Sequence, residues 1–232
     1  MTTTPLSPCF EVVYPDSDGS PMTESDITRD YLIYAIEALD RYFQAAANVY
    51  VSGNLFIYYE QGNPRAVVSP DVFVIFGVEK KKRSSYKTWE EGGKVPDFIL
   101  EITSRTTASE DRGLKKGLYA YLGVREYFQY DPTADYLRPS LQGFRLMGEN
   151  YAAIAAAPHD HRIIIPAETL GLDLCLAADG AMTFYDPQTG AKLLSPRELD
   201  EARHQAEQRA DRLEAKLKAL GLDADSQRSP GV

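Results

Sequence analysis

The chain has 232 residues, of which 44% are hydrophobic and 25% are charged, and its formal net charge is −9. This composition is ordinary for a globular protein and supplies enough apolar surface for one sizeable domain with appendages. The acidic balance excludes a general nucleic-acid coat, because phosphate binding requires concentrated lysine and arginine. It allows a local basic patch or a metal site.

The two cysteines, Cys9 and Cys175, lie far apart, so neither a disulfide framework nor a zinc-binding spacing is visible. The run MTTTPLSPCF lacks the basic and apolar regions of a signal peptide. No run approaches the roughly 20 apolar residues of a membrane span. These features predict a reduced, cytoplasmic protein without a membrane segment.

The first predicted element is a helix. Residues 1–22 are rich in Pro, Ser, Thr and Asp and are predicted to be irregular, whereas TESDITRDYLIYAIEALDRYFQ has a helical pattern that Thr23 or Ser25 can cap. Glu37 lies off the apolar stripe, on a face that is interpreted as solvated. The stripe itself consists of Leu32, Ile36, Leu39 and Phe43.

Three strand-like runs follow the helix. NVYVSGNLFIYYE predicts a bent strand or a hairpin around Ser52-Gly53-Asn54, and PDVFVIFGV and PDFILEIT predict buried strands. Between the last two, EKKKRSSYKTWEEGGK carries six basic and three acidic residues. A solvated loop is the usual interpretation of such a run, but its position also allows residues 80–83 and Lys87 to contact phosphate.

A second helix is predicted at about residues 110–122, with Gly123 at its end. Its expected apolar side consists of Leu114, Leu118, Tyr121 and Leu122. REYFQYD then predicts a strand, and the strand–helix–strand order makes PDFILEIT and REYFQYD parallel neighbours. Further along, RLMGENYAAI and MTFYDPQTGAKLL resemble hairpins.

A charged helix is predicted for residues 196–221, after a main domain at 23–195 and before a disordered tail at 222–232. One narrow stripe of small and apolar side chains runs along this helix at alternating three- and four-residue spacing: Leu199, Ala206, Ala210, Leu213, Leu217 and Leu220. The helix could pack on its own domain or pair with a second copy. The narrow stripe favours a homodimer through a short coiled coil.

Glu101 lies in the middle of the apolar run PDFILEIT. An ionised carboxylate in a dry strand costs several kcal/mol unless a partner compensates its charge. Asp97 faces the same way but is roughly 13 Å distant along the strand, so the two cannot share one ion, and Asp97 is assigned a structural role. Asp71 opens PDVFVIFGV and would meet Glu101 if the two strands are neighbours.

Two neighbouring carboxylates repel each other unless one is protonated or a cation lies between them. Oxygen ligands with open water positions suit Mg²⁺ or Mn²⁺, and a protonated or salt-bridged Glu101 is the alternative. Lys115 lies near the apolar side of the second helix, four residues after Asp111. It can pair with Asp111 at the surface or extend to Glu101.

Two carboxylates, a metal ion and a lysine can together hydrolyse a phosphodiester. The metal lowers the pKa of its bound water, and the lysine orients that water or stabilises the developing negative charge. A histidine-based scheme fits less well, because no nucleophile-elbow motif accompanies His159, His161 or His204.

At these residues the sequence resembles the Uma-two family of restriction endonucleases, within the PD-(D/E)XK nuclease superfamily. The matching segments are SPDVFVIFGV, PDFILEITSRTT, DRGLKKGLYAYLGVREYFQYDP and LQGFRL, and the resemblance covers about residues 22–195. It implies a restriction-endonuclease-like core. The expected fold class is therefore α/β, with a mixed central sheet flanked by helices, extra C-terminal strands and a charged tail helix.

The resemblance implies that Asp71 and Glu101 are the metal ligands and Lys115 the catalytic lysine. In the usual pattern of the superfamily a lysine follows the second acid by two residues, but Thr103 occupies that position here. The family resembles other members of the superfamily in which the lysine lies on the next helix, and this resemblance selects Lys115. Many relatives carry a histidine early in the first helix, and this chain has Thr28 near that position. We therefore expect an endonuclease that acts on DNA with Mg²⁺ or Mn²⁺. The alternative is an inactive nuclease-fold module that binds nucleic acid or a protein partner.

Overall fold

The computed structural model describes residues 12–17, 25–103 and 111–220. The predicted disorder of residues 222–232 lies outside this part of the chain, as does most of the predicted irregular segment 1–22. Contacts divide the chain into two units, Met1–Leu193 and Leu194–Val232. Among the described residues, no helix combines the length and apolar character that a membrane crossing needs.

The first unit contains two described α-helices and a series of short strands. The helices are α1 (Asp26–Tyr42) and α2 (Lys116–Leu122), and a π-helical turn at Asp111–Lys115 precedes α2. The strands are β1 (Val49–Ser52), β2 (Ile57–Tyr58), β3 (Val67–Val68), β4 (Val72–Phe76), β5 (Tyr86–Lys87), β6 (Phe98–Ile102), β7 (Glu126–Tyr130), β8 (Leu141–Met147), β9 (Asn150–Ala153), β10 (Ala157–His159), β11 (Arg162–Ala167), β12 (Leu172–Leu176) and β13 (Met182–Tyr185).

The strands form three sheets. The central sheet has the order β1-β4-β6-β7-β8-β9, in which β6 and β7 are parallel and the other pairs are antiparallel. The smaller sheets have the orders β10-β11-β12-β13 and β3-β2-β5. The predicted α/β class, with a mixed central sheet, flanking helices and extra C-terminal strands, is confirmed.

Side chains of β6 alternate between two apolar layers. Leu100 packs in the layer that contains Leu39 of α1, whereas Ile99 packs in the layer that contains Tyr119 of α2. Burial on both faces explains why the strand is almost continuously apolar. Because residues two apart share a face, Glu101 lies on the α2 side with Ile99.

Two sequence predictions for the first half of the chain have different outcomes. Ser25 caps α1 as expected and accepts a hydrogen bond from the Thr28 N–H at 3.2 Å. The prediction that NVYVSGNLFIYYE forms one bent strand or a hairpin is wrong, because β1 and β2 belong to different sheets. β1 ends at Ser52, and Gly53 lies in the segment that connects the two strands.

The predicted apolar side of the second helix is wrong at two positions. Leu114 and Tyr121 are 79% and 81% exposed, and Tyr119 is the buried residue of α2 instead. A π-helical turn contains one more residue per hydrogen-bonded ring than an α-helix, so it rotates the faces that follow relative to a regular pattern. Gly123 ends α2 at a φ of 84°, as predicted.

The C-terminal hairpins are confirmed in part. RLMGENYAAI forms the antiparallel pair of β8 and β9, with Met147 opposite Asn150. In MTFYDPQTGAKLL, β13 is followed by a single bridge between Tyr185 and Lys192 rather than by a second strand.

The second unit is the predicted charged helix, α3 (Pro196–Ala219). A capping box begins it: the Ser195 hydroxyl accepts from the Glu198 N–H at 3.3 Å, and Glu198 Oε2 accepts from the Ser195 N–H at 2.8 Å. None of its residues is buried within the chain. Pairing of this helix with a second copy stays a prediction.

Gly53 lies where the chain passes against the residue that precedes β4. A Cβ atom at this position would lie 2.0 Å from the carbonyl oxygen of Asp71 and 2.7 Å from Cδ1 of Ile36. The next residue, Asn54, donates its N–H to the carbonyl of Pro70 at 2.9 Å. The close approach therefore requires glycine and helps to hold Asp71 in place.

We expect Gly53→Ala to lower the free energy of unfolding by about 1–3 kcal/mol, because backbone atoms must move to admit the methyl group. Gly117→Ala is the matched control, since a Cβ at Gly117 meets nothing within 4 Å. Alanine in that helix should stabilise the protein by about 0.5–1 kcal/mol. Urea unfolding measures both variants, and equal midpoints would contradict the close approach.

Candidate active site

Strand pairing brings Asp71 and Glu101 together. β4 and β6 are antiparallel neighbours, with Val72 opposite Leu100. Asp71 precedes β4 by one residue and continues this register opposite Glu101. Its Oδ2 accepts a hydrogen bond from the N–H of Ile102, the residue after Glu101, at 2.7 Å. The expected adjacency of the two strands is confirmed.

Asp97 makes the matching contact at the other end of the same strand pair. Its Oδ2 accepts from the N–H of Phe76 at 2.8 Å, and its Oδ1 lies 3.4 Å from Nε of Arg125. These contacts give Asp97 the structural role expected at the start of its strand.

The carboxylate of Glu101 is completely buried and is held by two donors. Nζ of Lys115 lies 3.0 Å from Oε2, and the Tyr119 hydroxyl donates to Oε1 at 2.5 Å. An ammonium charge and a phenolic hydrogen bond thus compensate the carboxylate for its removal from water. The side chain of Lys115 is 20% exposed, so the ion pair extends from the interior to the surface.

The expectation that Lys115 extends to Glu101 is confirmed by this contact. The alternative surface pair with Asp111 lies outside the described side chains. Whether Asp71, Glu101 and Lys115 perform catalysis stays a prediction.

Tyr119 is the residue of this site that the sequence analysis missed. Burial first, and then the charge of Glu101 and its hydrogen bond, raise the pKa of the Tyr119 hydroxyl well above its usual value of 10.0. Asp71 raises this pKa further, so its carboxylate lies within electrostatic range of the same hydroxyl. Because Tyr119 follows Lys115 by four residues, helical spacing could have placed both side chains over Glu101.

Thr103 follows Glu101 by two residues and lies directly after β6. The residue is 1% exposed, and its N–H donates to the Tyr130 carbonyl at 2.7 Å, which continues the pairing of β6 and β7. By alternation its side chain shares the face of Glu101. Its Oγ1 is buried and has no hydrogen-bond partner among the described residues. Such a hydroxyl costs about 1–3 kcal/mol unless a water or an ion satisfies it.

The oxygen ligands of this site fit Mg²⁺ better than a metal whose ligands must all come from the protein. Asp71 and Glu101 supply hard oxygen atoms. The Thr103 hydroxyl, for which no described residue is a partner, faces the same side of the sheet by alternation. The described part of the chain contains no group of three or more His, Cys, Asp or Glu residues able to hold a metal. Mg²⁺ commonly binds through one or two carboxylates and several waters, and so it suits these residues.

Thr28 supports the start of α1. It is buried, and its Oγ1 lies 2.8 Å from Oγ of Ser25. The histidines of the chain are exposed residues of β10, the following turn and α3: His159, His161 and His204.

The basic segment at residues 79–94 carries much of its countercharge within the protein. Ion pairs of 2.8–3.0 Å join Lys80 to Asp40, Arg83 to Glu91 and Lys87 to Glu90. These pairs weaken the case for phosphate contacts by this segment, which stay a prediction.

Comparison with known proteins gives the family of the chain. The profile of the Uma-two family (Uma2), described as "Putative restriction endonuclease", matches residues 20–178. This match covers more than half of the sequence, and the protein belongs to that family.

Among solved structures, the chain is similar to a protein described as a "putative nuclease belonging to DUF820" from Anabaena variabilis ATCC 29413. The two are 12% identical, the match covers 60% of this chain and 74% of that one, and the TM-score is 0.41. A comparison with curated proteins gave no match.

We expect Tyr119→Phe to reduce the loss of stability at alkaline pH. A phenol whose pKa is raised by folding contributes its full stabilisation below the unfolded pKa, near 10, and loses it as the pH rises above that value. Removal of this group should reduce the slope above pH 10 by up to about 1.4 kcal/mol per pH unit.

Urea unfolding at neutral pH and at several values above pH 10 measures this slope. Tyr121→Phe is the matched control, because its ring is 81% exposed. If both variants show the slope of the wild type, the buried phenol is not linked to folding as described.

Proposed function

We propose that the protein is a metal-dependent endonuclease that hydrolyses phosphodiester bonds of DNA. Asp71 and Glu101 would hold Mg²⁺, or Mn²⁺ in its place, and Lys115 would act on the phosphate or on the attacking water. Membership of the family supports a nuclease function in general. The finer proposal is supported by one observation, the contact of Lys115 with Glu101 directly across the strand pair from Asp71.

Each residue of the site has a distinct task in this proposal. When bound, the metal would lower the pKa of a coordinated water and neutralise charge on the phosphate. The Ile102 N–H orients Asp71, and the Tyr119 hydroxyl orients Glu101 through Oε1. Lys115 supplies positive charge where negative charge develops on the phosphate, from a side chain that is only partly buried.

The contacts of Glu101 also favour a second function. Both of its oxygens accept hydrogen bonds from side chains of the protein, Lys115 and Tyr119. Such an arrangement equally suits a structural ion pair in an inactive nuclease-fold module that binds nucleic acid or a protein partner. The two functions differ in whether the site binds a metal ion.

Two further expectations belong to the proposal. A cytoplasmic location rests on the low cysteine content, and the one cysteine among the described residues, Cys175, is buried and unbridged. A homodimer through α3 rests on the narrow apolar stripe of that helix.

We expect Glu101→Gln and Asp71→Asn each to lower Mg²⁺-dependent nicking of a supercoiled plasmid by roughly 100-fold or more. Each change removes a ligand charge from a metal that contributes several kcal/mol to the barrier, and about 1.4 kcal/mol corresponds to tenfold in rate. Lys115→Met should lower nicking by roughly 100- to 1000-fold, as expected for one group that stabilises developing charge.

Glu126→Gln is the matched control for the removal of a buried carboxylate. Glu126 is 1% exposed and pairs with Arg145 at 2.8 Å. The Glu126→Gln variant should retain the nicking activity of the wild type after correction for any change in the folded fraction. Thermal melting reports that fraction. Full nicking by a folded Glu101→Gln variant would remove Glu101 from the mechanism.

Calorimetric titration with Mn²⁺ separates the nuclease from the inactive module. We expect measurable binding by the wild type and a decrease of roughly 10-fold or more in affinity in Asp71→Asn, since the cation requires carboxylate charge. A wild type that binds neither Mn²⁺ nor Mg²⁺, with DNA present, would favour the module.

A further inference from the structure

A row of polar side chains continues from the carboxylates across the central sheet. Glu101 lies opposite Gln129 in the pairing of β6 with β7, and Gln129 lies opposite Gln142 in the pairing of β7 with β8. Residues paired across strands project from the same face. Neighbouring strands are about 4.8 Å apart, so the row extends about 10 Å beyond Glu101, on the α2 side of the sheet.

The far end of this row opens into a cavity of about 420 Å³. Its lining includes Lys116 and Arg138 together with Gln129, Gln142 and Phe144. Among the described residues, no carboxylate lines this cavity. Gln129 therefore belongs both to the row that begins at Glu101 and to the lining of a cavity that has two cationic side chains.

The consecutive lysines of DRGLKKG point to different places. Lys115 contacts Glu101, whereas Lys116 lines the cavity, as expected when successive helical residues project about 100° apart. This division places one ammonium group at the carboxylates and the next beside them, on the same stretch of helix.

Among the described residues, the two cationic side chains of the cavity lack the countercharge that the basic segment 79–94 has. Neither Lys116 nor Arg138 forms an ion pair with any residue in the described part of the chain. Nζ of Lys116 lies 3.3 Å from the centre of the Phe144 ring, and burial lowers the pKa of this ammonium group. A cation that is partly removed from water gains more from an anionic ligand than a hydrated surface lysine does.

We propose that this cavity binds the phosphodiester backbone of the nucleic-acid strand next to the bond that Asp71, Glu101 and Lys115 would cleave. Lys116 and Arg138 contact phosphate oxygens. Nε2 of Gln142 donates one hydrogen bond to the Pro139 carbonyl at 3.1 Å and offers its second N–H to a phosphate or sugar oxygen. The position of the cleaved bond rests on the proposed nuclease function, whereas binding at the cavity does not.

The dimensions agree with one strand lying along the row. A DNA strand advances at least about 3.4 Å per nucleotide, its rise along the helix axis, so a span of about 10 Å corresponds to at most about three nucleotides. The cavity would then hold a phosphate a few positions from the cleaved bond. Contacts to phosphate and sugar fix the register of a strand but carry no sequence information, so this surface predicts binding without sequence preference.

Lys116→Gln and Arg138→Gln each remove one charge and leave the carboxylates unchanged. Fluorescence anisotropy with a labelled single-stranded DNA oligonucleotide, without added Mg²⁺, measures binding in the absence of cleavage. We expect each substitution to weaken binding roughly tenfold, the effect of one charge-assisted hydrogen bond. The slope of log affinity against log salt concentration should decrease by about 0.7 for each phosphate that is no longer neutralised.

Arg65→Gln is the matched control, because Arg65 is an exposed cation that does not line the cavity. Its salt slope should equal that of the wild type. Thermal melting checks the fold of each variant. Because the two substitutions are at separate positions, the test still works if one of the variants does not fold.

The outcomes separate this inference from the nuclease proposal. Wild-type slopes in both cavity variants, or no binding by the wild type, would overturn the inference even if the protein cleaves DNA. An inactive protein whose binding depends on Lys116 and Arg138 would support the inference and contradict the nuclease proposal.

Discussion

The antiparallel pairing of β4 with β6 determines the geometry of the candidate site. Pro-Asp directly precedes each strand, and each aspartate accepts a hydrogen bond from a backbone N–H of the other strand, Asp71 from Ile102 and Asp97 from Phe76. The two contacts lie at opposite ends of the pair and fix its register. A slip by one residue would turn Glu101 towards the apolar α1 layer, where nothing could compensate its charge.

Because this register buries Glu101, the carboxylate depends on α2 for its partners. A buried carboxylate on β6 requires a cation and a donor, and α2 with its preceding turn supplies both through Lys115 and Tyr119. Removing one partner of a buried ion pair commonly costs about 3–5 kcal/mol, so the sheet and the helix are coupled through Glu101. The same coupling places Lys116 beside the row of amides. Stability and the proposed chemistry thus depend on the same contacts.

Local patterns in the sequence predicted the parts of the site that depend on single strands and helices. The Pro-Asp pairs before the strands, the alternation along PDFILEIT and the position of Lys115 offered Asp71 and Lys115 as partners of Glu101 but left other pairings open. The resemblance to the Uma-two family then selected these two residues, and both contacts are present. Tyr119 was missed because it lies outside the apolar side that was predicted for this helix, although its four-residue spacing from Lys115 could have placed it over Glu101. Gln129 and Gln142 could not be recognised because their alignment with Glu101 depends on the register of three strands.

Anomalous X-ray scattering from crystals of the protein grown with Mn²⁺ tests most directly whether these acids form a metal site. We expect an anomalous peak about 2.1 Å from one carboxylate oxygen of Asp71 and one of Glu101, with waters in the remaining positions. No peak at this place, with Glu101 still held by Lys115 and Tyr119, would contradict a metal-dependent site and leave a structural ion pair.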